Sequence, residues 1–163
     1  MDGLVECFGS REATVAKLDS LFSASSQLEG EDASPDISGL IGQYAHGNEP
    51  SHHTLYLYAM LGQPDKTAEK VRYVCRNLYK AAPDGMSGNE DAGQMSAWYI
   101  LSSLGFYQVE PASGRYWIGS PMWDEAEFAV PGGKFVIKTV NNSPDNMYVR
   151  SVKFNGKPYT LPY

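Results

Sequence analysis

Positive charge is scarce in this chain: 13 Lys and Arg stand against 19 Asp and Glu, for a net charge of −6. That excludes a broad cationic surface for neutralising phosphates, so neither nucleic acid nor anionic membrane is an expected partner. Long apolar runs are also lacking. None approaches the roughly 20 residues that span a bilayer. Asp2, Glu6, Arg11, Glu12 and Lys17 break up the first turns of chain, so these residues hold no signal peptide. Cysteine is sparse too. Cys7 and Cys75 match no zinc spacing and define no disulfide framework; both sit on apolar helical faces, where buried free thiols are expected. What the chain does have is 163 residues, 42% hydrophobic and 12% aromatic, enough for one sizeable core. Its acidic balance suits neutral ligands such as sugars, or cations.

The first half reads as helices and the second as strands. A short helix over 2–8 stops at Gly9, and Ser10 caps a second with Val15, Leu18 and Phe22 on one face. The Ser-, Gly- and acid-rich stretch 23–42, with Pro35 inside it, reads as a loop. Pro50 opens a further helix that runs to Gly62. Asp65 caps another, with Val71, Val74, Cys75 and Leu78 as its buried stripe and Pro83 to Gly85 beyond its end. The last runs from Ala92 to Leu104 and is apolar over much of its circumference, as expected for a helix within a larger assembly. Beyond it, 116–118, 126–130, 134–140 and 148–154 read as strands, with Asn155-Gly156 a hairpin turn. The expected fold class is α+β: helical hairpins over 1–107, then a small antiparallel β segment over 108–163.

Polar residues concentrate in two loops that each lead into a helix, His46–His53 (HGNEPSHH) and Pro83–Trp98 (PDGMSGNEDAGQMSAW). The short turn at 62–64 and the reversal after Tyr79 place the helices that follow the two loops parallel, so both loops face one site. Both contain Gly-Asn-Glu, at 47–49 and 88–90. Facing acidic loops suit either a hard cation held by oxygen ligands or a carboxylate acting as base on water. Singly, Glu49 reads equally as a solvated residue before a helix and Asp91 as a helix cap. A zinc reading of His46, Glu49, His52 and His53 is disfavoured, because Pro50 interrupts the helix that would align them. Tyr44, Tyr56, Trp98 and Tyr99 are either core residues or stacking faces for a sugar.

GNEPSHH followed by LYLYAMLGQPDKT, then PDGMSGNEDAGQMSAWYILSSLGFYQVEPASGRYWIGSP, resembles the C-terminal part of glycoside hydrolase family 92, and the similarity runs from Asp2 to the end of the chain. The resemblance implies a calcium-dependent, inverting exo-α-mannosidase, with the α-1,2 linkage as the expected substrate bond, built from a β-sandwich and an (α/α)6 barrel. It implies a secreted or periplasmic bacterial parent acting on mannose-containing glycans. By the same resemblance Asp91 is the general base, and Asn48 and Glu49 serve Ca²⁺. His46, His52, His53 and Gln94 are sugar contacts. Asn89 stands where the family often has a second acid. The general acid belongs to an upstream segment, and Glu6 matches a non-catalytic stretch. The chain is thus expected to be an inactive fragment that needs the N-terminal part of the same enzyme and self-associates through exposed barrel-facing surface. The competing reading is a non-catalytic calcium- or carbohydrate-binding module.

Overall fold

Helix α1 (Asp2–Phe8) ends where Gly9 turns left-handed at φ 85°, and Ser10 then caps α2 (Arg11–Ser23) by accepting the Ala13 N–H at 3.1 Å. A computed structural model of the chain describes residues 1–28, 34 and 37–163; Pro35, expected within a loop, lies outside them. Thr14, Leu18 and Phe22, one turn apart, form the buried face of α2, with Val15 only half-buried beside them. Helix α1 buries nothing, so the Cys7 thiol is exposed, contrary to expectation, while Cys75 is buried as expected.

Two-residue strands β1 (Leu40–Ile41) and β2 (Tyr44–Ala45) pair antiparallel ahead of the first acidic loop; no periodicity can show through elements this short. The helix expected from Pro50 is broken into 3-10 turns at Glu49–Ser51 and Thr54–Tyr56, then α3 (Leu57–Met60). Its carbonyls are claimed elsewhere. The His52 carbonyl accepts the Trp98 indole N–H at 3.2 Å and the Leu55 carbonyl accepts the Thr67 hydroxyl at 2.8 Å, in competition with helical bonding. Helix α4 (Pro64–Asn77) starts one residue before the expected cap. Pro64 occupies the first turn, Asp65 adds negative charge there without capping, and Thr67, Ala68, Val71, Val74 and Cys75 are buried. Helix α5 (Gln94–Leu104) starts later than expected and ends at left-handed Gly105. It buries Met95, Trp98, Ser102 and Ser103 but leaves Ile100 53% exposed, so in this chain only one of its faces is covered.

The six strands after α5 form three antiparallel pairs. β3 (Phe106–Tyr107) joins β4 (Trp117–Ile118), β5 (Glu125–Val130) joins β6 (Gly133–Lys138), and β7 (Val152–Phe154) joins β8 (Lys157–Tyr159). With β1–β2 they make a mixed helix-and-strand fold that contains no closed barrel among the described residues. Asn155 and Gly156 both have positive φ, 48° and 77°, as a two-residue hairpin turn requires. The shared core contains Leu55, Tyr56, Val71, Val74 and Trp98 from the helices and Tyr107 and Trp117 from β3 and β4.

Arg72, only 4% exposed, fastens α4 to the strand-rich half. Its guanidinium donates to Ser120 Oγ at 2.8 Å, to Asn142 Oδ1 at 2.5 Å and to the Pro121 carbonyl. These acceptors are uncharged, so the cation is satisfied by dipoles. No helix among the described residues is long and apolar enough to cross a membrane.

Candidate active site

The two acidic loops meet backbone to backbone at their glycines. A Cβ on Gly88 would lie 2.3 Å from the Gly47 carbonyl oxygen, and one on Gly47 would lie 2.1 Å from Ser38 Oγ and 3.2 Å from the Gly88 nitrogen. The repeated Gly-Asn-Glu is therefore a contact motif, since each glycine makes room for the other strand. From this crossing Glu49 and Asp91 come close enough for the Glu49 carboxyl to act on that of Asp91.

Asp91 is not a helix cap. The residue at the cap of α5 is Gly93, and no side chain caps there. Asp91, Ala92 and Gly93 form a left-handed turn, with φ of 51°, 56° and 95°. For a residue with a Cβ this costs about 1–2 kcal/mol, the kind of strain found where a side chain must be aimed. The Asp91 carboxyl is exposed. Local desolvation, then the hydrogen bond and charge of Glu49, hold its pKa above the usual aspartate range; His52 pulls the other way.

Beneath the carboxyls lies a closed network of rings. His46 is 0% exposed and bonded at both nitrogens: Nδ1 to the Tyr44 hydroxyl at 2.9 Å, Nε2 to the Tyr79 hydroxyl at 2.7 Å. Because Tyr79 donates to the Met95 carbonyl at 3.1 Å, it accepts from His46, which assigns the His46 proton to Nε2. His52, 1% exposed, directs Nε2–H to the His46 carbonyl at 3.0 Å and receives the Gln94 amide at Nδ1, 3.2 Å away. The two imidazoles stack at 4.7 Å, and Trp98 closes edge-on to His46 at 4.5 Å. His46 was expected to touch sugar. With no exposed surface and no spare nitrogen, it instead supports the loop from inside. His52 is equally committed to protein partners. Gln94 gives its amide nitrogen to His52 and to Tyr107 Oη at 2.9 Å, and His53 is exposed on the loop. Trp98, fully buried among these rings, and Tyr56 are core residues.

Burial pushes the His46 pKa down to about 3, with His52 adding to the effect. The sign follows from the comparison with 6.5 in the unfolded chain: stability is complete above pH 6.5 and falls as pH drops from there through about 3. Thermal melts of the chain are expected to lose on the order of a few kcal/mol across that window. His46→Phe should flatten this pH dependence, and an unchanged slope in that variant would remove His46 as its source.

The oxygen donors at the crossing, the Asn48 amide and the Glu49 and Asp91 carboxyls, are of the kind a hard cation takes. Asn48 makes no side-chain cap bond to the turn that follows it. Among the described residues no three His, Cys, Asp or Glu side chains are grouped to hold a metal ion. The side chains of Asn48, Glu49 and Asp91 are oxygen donors of the kind Ca²⁺ takes, and by themselves fall short of its shell of about six to eight oxygens. Glu90, Tyr79 and Tyr107 escaped the sequence reading. The repeat of Gly-Asn-Glu was the available signal for Glu90; nothing local marks the two tyrosines.

A carboxyl raised in pKa beside a second carboxyl, mounted on a strained turn at the end of a helical scaffold, is equipment for acid–base chemistry. The whole sequence, residues 1–163, matches the glycosyl hydrolase family 92 catalytic domain, and the chain belongs to that family. The family GH92 α-mannosidase BT3965 of Bacteroides thetaiotaomicron, solved with mannoimidazole, is 40% identical with a TM-score of 0.85, covering 93% of this chain and 20% of that one. The GH92 inverting mannosidase BT2199 of the same species is 37% identical with a TM-score of 0.80, over 99% of this chain and 23% of that one. An uncharacterized secreted glycosidase of Arthroderma benhamiae is 25% identical over 98% of this chain and 19% of its own length. The chain thus spans about a fifth of the length of these relatives.

Proposed function

We propose that this chain carries the general-base side of an inverting α-mannosidase that removes terminal α-1,2-linked mannose from glycans. The observation that carries the reading is the backbone crossing of the two acidic loops at Gly47 and Gly88, which brings Glu49 and Asp91 to one place. Asp91 in its ionised form takes a proton from water as the water oxygen bonds to the anomeric carbon. The glycosidic bond breaks on the opposite face, and its electron pair leaves with the aglycone oxygen, which a general acid protonates. We assign that acid to a part of the enzyme outside these 163 residues, since the chain spans about a fifth of its relatives' length. Asn48 and Glu49 would hold Ca²⁺, which would supply positive charge for orienting sugar hydroxyls. Gln94 presents its amide oxygen to the sugar and His53 lines the rim. His46 and His52 hold the loop that carries Glu49. The secreted relative supports a parent enzyme that is secreted or periplasmic, where its glycan substrate would be met.

Mannose release from α-1,2-mannobiose by the full-length enzyme, with calcium and with a chelator, tests this reading. Turnover should need calcium, and Glu49→Gln should shift the calcium titration to at least about tenfold higher concentration, as for loss of one carboxylate ligand. An unaltered titration removes Glu49 from the metal site. Calcium-dependent mannose binding with no hydrolysis by any full-length form would favour a binding module instead.

A further inference from the structure

Helix α5 begins without a cap, yet its first N–H groups are all bonded. The Gln94 N–H reaches the Asp91 carbonyl at 3.2 Å and the Met95 N–H reaches the Glu90 carbonyl at 3.2 Å. The Ser96 N–H goes to a side chain: it donates to Glu90 Oε1 at 3.0 Å, while the Ser96 hydroxyl donates to Glu90 Oε2 at 2.9 Å. Glu90 thus grips one residue of the helix with both carboxylate oxygens, from the far side of the left-handed turn. A further bond, from the Gly93 N–H to the Glu90 carbonyl at 3.2 Å, closes the turn on itself.

Taking Asp91 as the base, we infer that Glu90 is its positioning residue, a clamp on Ser96 that holds turn 91–93 left-handed and so keeps the Asp91 carboxyl at Glu49. The geometry explains why the strained conformation persists. A carboxylate that accepts two hydrogen bonds from a fixed helix end sets the span between residue 90 and residue 96. Of the five intervening residues, 91–93 meet that span by turning left-handed, with φ positive at each. Released from the clamp, Asp91 and Ala92 relax toward negative φ, and the Asp91 side chain swings off the loop crossing. Both carboxylate oxygens of Glu90 are taken up by Ser96, so its effect runs through Asp91.

The test uses the full-length enzyme. Glu90→Ala should lower kcat about 10²-fold, the scale of a misplaced catalytic group, and leave KM within about twofold. Glu90→Gln should restore most of kcat, because its amide oxygen accepts the Ser96 N–H and its amide nitrogen donates to the Ser96 hydroxyl. Ser96→Ala removes one of the two bonds and should fall between. It also serves if Glu90→Ala does not fold. Hydrogen exchange at the Ser96 amide should speed up in Glu90→Ala and not in Glu90→Gln. Unchanged kcat in Glu90→Ala overturns the clamp while leaving Asp91 as base. A Gln variant as slow as the Ala variant also overturns it, because the charge and not the grip would then be what matters. Activity in Asp91→Asn removes the reading and the clamp together.

Discussion

Asp91→Asn in the full-length enzyme is expected to lower kcat by about 10²–10⁴-fold, the usual contribution of a general base, without loss of folded protein. Asparagine is the substitution that isolates the chemistry. It has the shape of aspartate, it is one of the few residues at ease at a φ of 51°, and its amide can still donate to the Glu49 carboxyl. Only the ability to accept a proton from water disappears. The melting temperature should stay within a few degrees of wild type and calcium should still bind at Asn48 and Glu49. A kcat like that of wild type would end the assignment of Asp91 as base. A collapse in stability would show that the left-handed turn depends on the aspartate itself.

Gly88→Ala is expected to damage both the fold and the site with a single added methyl group. The new Cβ would sit 2.3 Å from the Gly47 carbonyl oxygen and 3.0 Å from its carbonyl and α carbons, all backbone, which cannot rotate away. It would also have to adopt a φ of +73°. Left-handed strain costs about 1–2 kcal/mol and overpacking about 1–3 kcal/mol. Together they are a sizeable share of the 5–15 kcal/mol by which a typical domain is stable. The loops would also part, taking Glu49 away from Asp91, so turnover should fall at least about 10²-fold even where the variant folds. Gly132→Ala is the control. It has a comparable φ of +85° but nothing within 4 Å of its added Cβ, so it should show the strain alone and keep its turnover. Equal damage in the two variants would mean that the crossing of the loops is not what matters.

The residues that were legible in the sequence acted through local rules. Gly9, Ser10, Gly105 and the Asn155-Gly156 pair each imposed a cap or turn wherever the chain went next, and the stripe of Val71, Val74 and Cys75 needed only helical period. What stayed hidden depended on distant partners. Pro50 announces a helix, but Trp98 and Thr67, far along the chain, take the carbonyls that a continuous helix would use. His46 looked like a loop histidine until Tyr44 and Tyr79 closed on it from both sides. The repeated Gly-Asn-Glu was visible as a pattern, whereas its meaning, two backbones in contact, required the fold. Asp91 stood out by motif and resemblance; its left-handed backbone did not, because aspartate carries no sign of the φ it is forced to adopt.

Arg72 has a bearing on how the chain acquires its shape as it is made. Its acceptors lie at Ser120, Pro121 and Asn142, 48 to 70 residues further along. At the pace of a ribosome, about 5–20 residues per second, those acceptors arrive seconds after the arginine itself. Until then a cation on the buried face of α4 has only water to satisfy it, which holds that face open. The contacts of Arg72 can therefore be completed only once the strand-rich half has emerged.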